Sequence, residues 1–202
     1  MDSFQDKKNL YKIRGTILEM ITDRGYSIPE SEKISFEEFS IKYNNKNLDI
    51  YINDSSKNKQ FYVYFHNEVK NFSKGDLKNI MQKIFNTYEG QDINIILILK
   101  DKENSAITKE LNKDVYKNVE VFLKKYMIFN ITHHDMVPKH TVLTKEEEVE
   151  LLDKYNTTKG KLPKISKVDP IAKYYGMKTD QICKIIRKSP EVGEYVYYRL
   201  VR

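Results

Sequence analysis

The sequence predicts an α+β protein built from two domains. Over residues 1–130, segments with helical periodicity alternate with segments of strand-like alternation, which indicates an α/β-like domain with a helix-flanked mixed sheet. Residues 131–202 are basic and punctuated by prolines, and their short elements indicate a small mixed α/β domain. Each segment is long enough to bury a core of its own.

The composition narrows the class of protein. With 40% hydrophobic and 32% charged residues among 202, the chain is typical of a globular protein. It has no apolar run long enough to cross a bilayer, and its first residues lack the apolar segment of a signal peptide. We therefore expect a cytosolic or nuclear location and no membrane contact.

The single cysteine, Cys183, argues against an internal disulfide bond and a cysteine-built zinc site. It lies within an apolar run, where a cysteine usually belongs to the core. We expect a buried thiol there rather than a catalytic nucleophile.

The N-terminal domain is predicted to begin with two helices. The first runs from about Phe4 to Arg24, and apolar residues at intervals of three and four give it one buried stripe: Leu10, Ile13, Ile17 and Met20. Gly25 suits the left-handed position beyond its end. The second begins at Ser35, because Ser35 and Glu38 have the spacing of a reciprocal capping box.

Strands and helices then alternate. Two segments with alternating polar and apolar residues, Leu48–Ile52 and Phe61–His66, are separated by the turn-rich residues 53–58, which predicts a hairpin. The remaining elements are a helix from Ser73 to about Tyr88 ended by Gly90, a fully buried strand at Ile93–Leu99, a short helix after Ser105 and a strand near Val119–Leu123.

The C-terminal domain has the signals of a small sheet with helices packed against it. Its first strand is predicted over Val137–Val142, with Pro138 confined to an edge or a bulge. A helix follows from Thr144, which has Glu147 as its capping partner, and another follows the Asp169-Pro170 start signal. The other expectations are an extended piece at 163–166, a helix end at Gly176, an ambiguous segment at 184–189, and a terminal hairpin with its turn at 190–193 and its aromatic strand at 195–198.

Four residues around the domain boundary could bind a metal: His133, His134, Asp135 and His140. Adjacent residues of a strand point to opposite faces, so the two neighbouring histidines would not readily share one ion. No second cluster completes a tetrahedral set. We expect these imidazoles to form hydrogen bonds within the domain or at a partner surface, and we expect no metal or other cofactor.

A Mg²⁺-dependent nuclease is the enzymatic alternative. Asp49 lies on a predicted strand, and Glu68 and Lys70 form an E-x-K pattern after the next strand. Restriction-endonuclease-like enzymes use such a layout, in which two carboxylates hold Mg²⁺ and a lysine helps to activate water. The pattern has little specificity in a lysine-rich chain. The sequence contains no glycine-rich phosphate loop and no G-x-S-x-G nucleophile elbow.

Positive charge is concentrated after the domain boundary. Residues 154–188 contain ten Lys/Arg and two acidic residues, in a chain whose net charge is +6. Such an excess suits a surface that faces phosphates or an acidic protein. It suits a solvated lysine-rich face equally well.

Three blocks of the C-terminal domain resemble a known family. They are Ile131–His140 (ITHHDMVPKH), Leu162–Gly176 (LPKISKVDPIAKYYG) and Lys184–Ser189 (KIIRKS), followed by Tyr198-Arg199. In this order and at these separations, they resemble the C-terminal domain of the fifth subunit shared by eukaryotic nuclear RNA polymerases, a domain that archaeal RNA polymerases also contain. Residues 1–130 share that family's length and element order, with little local identity.

The resemblance implies a non-catalytic subunit of a multisubunit DNA-directed RNA polymerase. The C-terminal domain would assemble on the largest subunit. The N-terminal domain, nuclease-like in fold, would line the jaw near downstream duplex DNA and contact phosphates without reading sequence. The matched positions that the resemblance assigns to the subunit interface are His133, His134, Val137, Pro138, Lys139, His140, Lys164, Asp169, Pro170, Arg187, Tyr198 and Arg199. Some of these also serve the fold, because Asp169 and Pro170 begin a helix.

The source and location follow from the same resemblance. A composition rich in lysine, asparagine and isoleucine indicates an AT-rich genome. A divergent N-terminal domain beside a retained C-terminal domain would suit a large DNA virus or a divergent eukaryote. A cellular protein would act in the nucleus, and a viral one in the host cytoplasm and the virion. A third interpretation is a free nucleic-acid-binding module without a stable protein partner, since tyrosines and basic residues can stack on and hold a single strand.

Overall fold

The chain folds into two compact units, Met1–Phe129 and Asn130–Arg202. The computed structural model describes residues 3–54, 57, 59–67, 71–88, 93–101, 105–189 and 193–202. Each unit contains a 4-stranded sheet accompanied by helices, which confirms the predicted α+β class. No described helix combines the length and the apolar character that a bilayer span requires.

The two N-terminal helices form where the sequence predicts them. Helix α1 spans Ser3–Asp23 and helix α2 spans Phe36–Asn44. The predicted apolar stripe of α1 is buried, and Gly25 follows it with a φ of 83°. The capping box of α2 is present, because the Ser35 side chain accepts a hydrogen bond from the Glu38 N–H while the Glu38 side chain accepts one from the Ser35 N–H.

The sheet of the first unit has the order β1-β2-β3-β4. Its elements after α2 are β1 (Ile50–Asp54), β2 (Lys59–Phe65), α3 (Lys74–Thr87), β3 (Ile93–Leu99), α4 (Ser105–Leu111), β4 (Val119–Leu123) and α5 (Lys124–Met127). Strands β1 and β2 are antiparallel, whereas β2–β3 and β3–β4 are parallel, so the sheet is mixed. The predicted hairpin of β1 and β2 is therefore confirmed. Gly90, the predicted end of α3, lies outside the described residues.

The hairpin strands lie about two residues away from their predicted positions. Strand β1 continues through Asn53 and Asp54, which the sequence assigns to the turn. Asp54 is buried, and its carboxylate accepts a hydrogen bond of 2.8 Å from the Ser27 N–H. This tertiary partner holds an intrinsically turn-forming residue in an extended strand.

Strand β3 is the buried centre of the first unit, as predicted. All its residues except Asn94 are buried. One face packs against Leu77, Met81 and Ile84 of α3. A strand covered on both faces explains its uninterrupted apolar sequence.

The sheet of the second unit has the order β5-β7-β8-β6. Its elements are β5 (Lys139–Val142), α6 (Lys145–Lys154), β6 (Lys164–Ile165), α7 (Pro170–Tyr174), β7 (Ile182–Ser189) and β8 (Gly193–Val201). The ambiguous segment 184–189 is thus a strand. The terminal hairpin is confirmed by the antiparallel pairing that brings Ser189 opposite Gly193, while residues 190–192 lie outside the described part.

The helix signals of the second unit are also confirmed. Thr144 and Glu147 form the capping box of α6. The Asp169 side chain accepts a hydrogen bond of 2.9 Å from the Ile171 N–H at the start of α7, and Gly176 follows that helix with a φ of 60°. Pro138 directly precedes the edge strand β5, a position where its missing N–H is tolerated.

Candidate interaction surface of the second unit

The β7–β8 hairpin has two different faces, because alternate residues of a strand point to opposite sides. Cys183, Ile185 and Val201 pack with Ala172 of α7 on one side, which we call the α7 face. Ile182 and Leu200 pack with Leu151 of α6 on the other side, which we call the α6 face. Both cores lie near one end of the hairpin, so its opposite end projects beyond them.

A group of arginine and tyrosine side chains lies along the α7 face, from its projecting part to the position opposite Cys183. We call it the Arg–Tyr patch, and its members are Arg187, Tyr195, Tyr197 and Arg199. The Arg187 guanidinium carbon lies 5.4 Å from the centre of the Tyr197 ring, and the Tyr195 ring meets the same ring edge-on at 4.9 Å. Arg187 is exposed, and 45% of Tyr197 is accessible. Stacked guanidinium and phenol groups of this kind are enriched at protein interfaces.

His140 lies buried beside the patch. It is opposite Ile185 on β7, and its ring stacks on Tyr175 with centroids 6.4 Å apart. The Nδ1 atom lies 2.6 Å from the carbonyl oxygen of Pro138, which can only accept, so Nδ1 carries a proton. Burial lowers the pKa of His140, so that the imidazole is neutral at pH 7.

Three charged groups influence the pKa of that imidazole. Asp169 acts to raise the pKa of His140, and Arg187 and Arg199 act to lower it, while burial remains the largest influence. Four of the residues that the resemblance assigns to the interface therefore share one electrostatic neighbourhood. The fold brings them together although they lie up to 59 positions apart in sequence.

Other predicted residues lie on the opposite side of the sheet. Lys139 and Tyr198 belong to the α6 face, where the Tyr198 ring lies 6.2 Å from that of Tyr155. Lys164 pairs with Leu200 and therefore has the same orientation. The proposed interface residues thus do not form one continuous face. A partner that contacted all of them would have to wrap around an edge of the sheet.

The double histidine lies in a turn rather than on a strand, so the expectation that strand geometry separates its two rings is wrong. Residues Ile131–His133 form a short 3₁₀ helix, which begins where the Asn130 side chain accepts a hydrogen bond from the Thr132 N–H. His133 and His134 are exposed, and His134 Nδ1 accepts a hydrogen bond of 3.1 Å from the Met136 N–H. In the described ranges, no three His, Cys, Asp or Glu side chains come together as a metal site.

The matched residues that remain have structural roles as well. Val137 and Pro138 are half-buried where the chain enters β5, and Asp169 and Pro170 begin α7. Arg199 donates a hydrogen bond of 3.4 Å to the Lys164 carbonyl oxygen, which links β8 to β6.

Three tyrosines of this surface are not among the residues predicted from sequence. Tyr195 and Tyr197 have the same parity in β8 as Arg199, so strand periodicity alone would have placed all three on one face. Tyr175, which stacks on His140, could not be found in this way because it comes from the end of α7.

The nuclease residues do not form a described site. Asp49 precedes β1 instead of lying within a strand, and both of its oxygens accept hydrogen bonds, from the Tyr62 hydroxyl at 2.6 Å and from the Phe65 N–H at 3.2 Å. Burial raises the pKa of Asp49. Glu68 and Lys70 lie outside the described residues. Through these contacts, Asp49, which directly precedes β1, is bound to Tyr62 and Phe65 of β2.

Cys183 is buried, as the sequence predicts. Burial raises the pKa of its thiol to about 11, which leaves little thiolate at neutral pH. A nucleophilic role is inconsistent with that environment.

Comparisons with known proteins cover both units. The family "RNA polymerase Rpb5, C-terminal domain" matches residues 129–201, and "RNA polymerase Rpb5, N-terminal domain" matches residues 5–84. The chain is similar to the protein named DNA-directed RNA polymerases I, II, and III subunit RPABC1 from Caenorhabditis elegans, with 34% identity over 206 residues that cover 95% of each chain. The Caenorhabditis briggsae relative is 33% identical over the same shares, and the Dictyostelium discoideum relative is 32% identical over 97% of this chain and 98% of its own.

These matches are not confined to the C-terminal domain. A family domain matches residues 5–84, and the relatives align along nearly the whole chain. The resemblance seen in the C-terminal blocks therefore extends to both units. The chain belongs to the Rpb5 family, a non-catalytic accessory subunit of eukaryotic DNA-directed RNA polymerases.

Proposed function

We propose that this chain assembles on the largest subunit of an RNA polymerase through its second unit and lines the downstream-DNA jaw with its first unit. The observation that carries this proposal is the match of both family domains in one chain, together with relatives that it covers over nearly their whole length. A free nucleic-acid-binding module would not be expected to contain both domains of a polymerase subunit in one chain.

The docking part of the proposal is supported by the chemistry of the second unit. Arg187 and Arg199 share the Arg–Tyr patch with the half-buried Tyr195 and the exposed Tyr197. Arginine and tyrosine are the residue types that most often dominate binding energy at interfaces. Among the other matched residues, Lys139, Lys164 and Tyr198 belong to the α6 face, and His133 and His134 lie in the turn before β5. We expect them to contribute less per residue.

The jaw part of the proposal rests on the match of the N-terminal family domain to residues 5–84. Residues 1–129 contain 21 Lys/Arg and 19 Asp/Glu, so this unit is close to neutral overall. Contact with DNA would then be local, made to phosphates and independent of sequence. We expect the isolated chain to bind duplex DNA weakly, with an affinity that falls as salt rises.

The decisive experiment is affinity purification of the tagged chain from its native cells at moderate salt. Identification of the recovered proteins by mass spectrometry should show the large polymerase subunits in stoichiometric amounts. Recovery of the chain alone would overturn the proposal. For a cellular source, imaging of the tagged chain should place it in the nucleus. The three relatives come from cellular organisms, and none of them supports a viral source.

The enzymatic alternative is separated by a direct assay. Purified protein incubated with duplex DNA and Mg²⁺ should leave the DNA intact, and Glu68→Ala should give the same result. Cleavage that requires Mg²⁺ and disappears in Glu68→Ala would establish the nuclease instead.

A further inference from the structure

The outer edge of β8 is open along most of its length. Strand β6 pairs with β8 only at Leu200 and Val201. Within the described residues of the second unit, no strand pairs with the stretch from Gly193 to Arg199 on the side away from β7. That stretch could accommodate about five residues of another strand, or about 17 Å.

The hydrogen-bond pattern shows which backbone groups face outward. The Leu200 N–H donates to the Pro163 carbonyl on the β6 side at 2.8 Å, whereas the Val201 N–H donates to Gln181 on the β7 side at 2.9 Å. Because antiparallel ladders alternate in this way, Glu194, Val196 and Tyr198 direct their N–H and C=O groups to the open edge. Among the described strands, none pairs with these outward N–H and C=O groups, so they could form hydrogen bonds with a further strand.

The side chains along the same stretch favour coverage by a partner. Val196 on the α6 face is 44% accessible and Tyr197 on the α7 face is 45% accessible, so apolar surface is exposed on both sides of the strand. An open edge that is apolar on both faces is a site for pairing with another chain. A strand added here would bury both side chains partly and satisfy the backbone groups together.

Charge distinguishes the partners that could bind there. The described part of the hairpin carries Lys184, Arg187, Lys188 and Arg199 against one acidic residue, Glu194. Glu194 is already 3.8 Å from Lys188. A second copy of this chain would bring two positive hairpins together, whereas a segment with acidic side chains would be complementary.

We propose that the outer edge of β8, from Glu194 to Tyr198, pairs with an extended acidic segment of another polymerase subunit. This inference rests on the proposed function and adds the mode of docking, which is the extension of the β5-β7-β8-β6 sheet by one strand. Backbone pairing would supply affinity, and Arg187 and Arg199 would select acidic side chains.

The first test removes one outward N–H without removing a β7–β8 hydrogen bond. Val196→Pro does this, because proline is compatible with an edge position whose N–H points away from the neighbouring strand. Val196→Thr is the matched control, since it keeps the N–H and the preference for a strand. Glu194→Pro repeats the test at the next outward position, and thermal unfolding identifies a variant that fails to fold.

The readout is recovery of polymerase subunits with the tagged full-length chain expressed in its native cells. We expect folded Val196→Pro to bind its partner about tenfold more weakly and Val196→Thr to bind as the wild type does. Undiminished recovery with both folded proline variants would overturn the edge proposal while leaving the proposed function intact. Failure of the wild type itself to recover polymerase subunits would instead overturn the proposed function.

Two further measurements test the nature of the partner. Arg187→Glu should lower recovery, whereas Lys178→Glu, an exposed lysine outside the hairpin, should not. Equal recovery for these two variants would refute an acidic partner. A concentration-dependent dimer of the purified chain that Val196→Pro abolishes would assign the edge to a second copy and overturn the proposal.

Discussion

The Glu148 carboxylate of α6 accepts a hydrogen bond of 3.1 Å from the backbone N–H of Ile182, the first residue of β7. Its other oxygen accepts one of 2.6 Å from Lys159 Nζ. Burial opposes ionisation of this carboxyl, but the hydrogen bonds outweigh it, and the pKa of Glu148 lies below its ordinary value. One buried side chain thus joins the helix, the loop after it and the central hairpin of the second unit.

Glu148→Ala should lower the free energy of unfolding of the second unit by about 2–3 kcal/mol, because it leaves the buried Ile182 N–H without an acceptor. The matched control is Glu150→Ala, which removes an exposed carboxylate from the same helix and should change stability by less than about 0.5 kcal/mol. Urea unfolding followed by circular dichroism measures both. Equal effects would show that the buried hydrogen bonds contribute nothing specific.

Stability should fall in acid partly because of Glu110. Hydrogen bonds from Lys113 and Lys74 lower the pKa of this carboxyl from 4.5 to about 2. A carboxyl whose pKa is lower in the folded state contributes stability above pH 4.5, and that contribution is lost as the pH falls toward 2. Urea unfolding of Glu110→Gln over this range should show a shallower decline than the wild type. Parallel curves would contradict the assignment.

His140 should make stability depend on pH near neutrality. Burial lowers its folded pKa below the ordinary value of 6.5, so the folded state binds fewer protons than the unfolded state. The contribution of the neutral His140 ring to the free energy of unfolding is complete above pH 6.5, and it is lost as the pH falls through the pKa of the folded state. An NMR titration of the His140 ring should give a midpoint below 6.5. The loss of stability on acidification from pH 7 should be smaller in His140→Phe, and a midpoint above 6.5 would refute the prediction.

Cys183 should be unreactive in the folded protein. Its thiol is buried, with a pKa of about 11, so at pH 8 a thiol reagent should label it far more slowly than a free cysteine. Addition of denaturant should restore rapid labelling. Because Cys183 is the single cysteine, mass spectrometry reports it directly. Rapid labelling without denaturant would show that the second unit opens readily.

Local rules were sufficient for much of this fold. The capping boxes at Ser35, Ser73 and Thr144 form between residues three apart, so the sequence alone located these helix starts. The apolar stripe of α1 and the uninterrupted run of β3 likewise report burial directly. Where a distant partner intervened, prediction failed: Asp54 belongs to β1 because it binds Ser27, which no local pattern reveals.

The sequence by itself determined the capped helix starts, the buried strand β3 and the family, because each depends on short-range periodicity or on motifs in a fixed order. It left the segment at 184–189, which is part of β7, ambiguous. Only the tertiary structure decided which matched residues act together. Register places His140, Arg187 and Arg199 on one face and Lys139 and Tyr198 on the other. Among the described strands of the second unit, it also leaves most of the outer edge of β8 without a neighbour, because β6 is only two residues long. Strand length and pairing are settled by contacts between distant segments, so a partner-binding edge becomes visible only after the chain has folded.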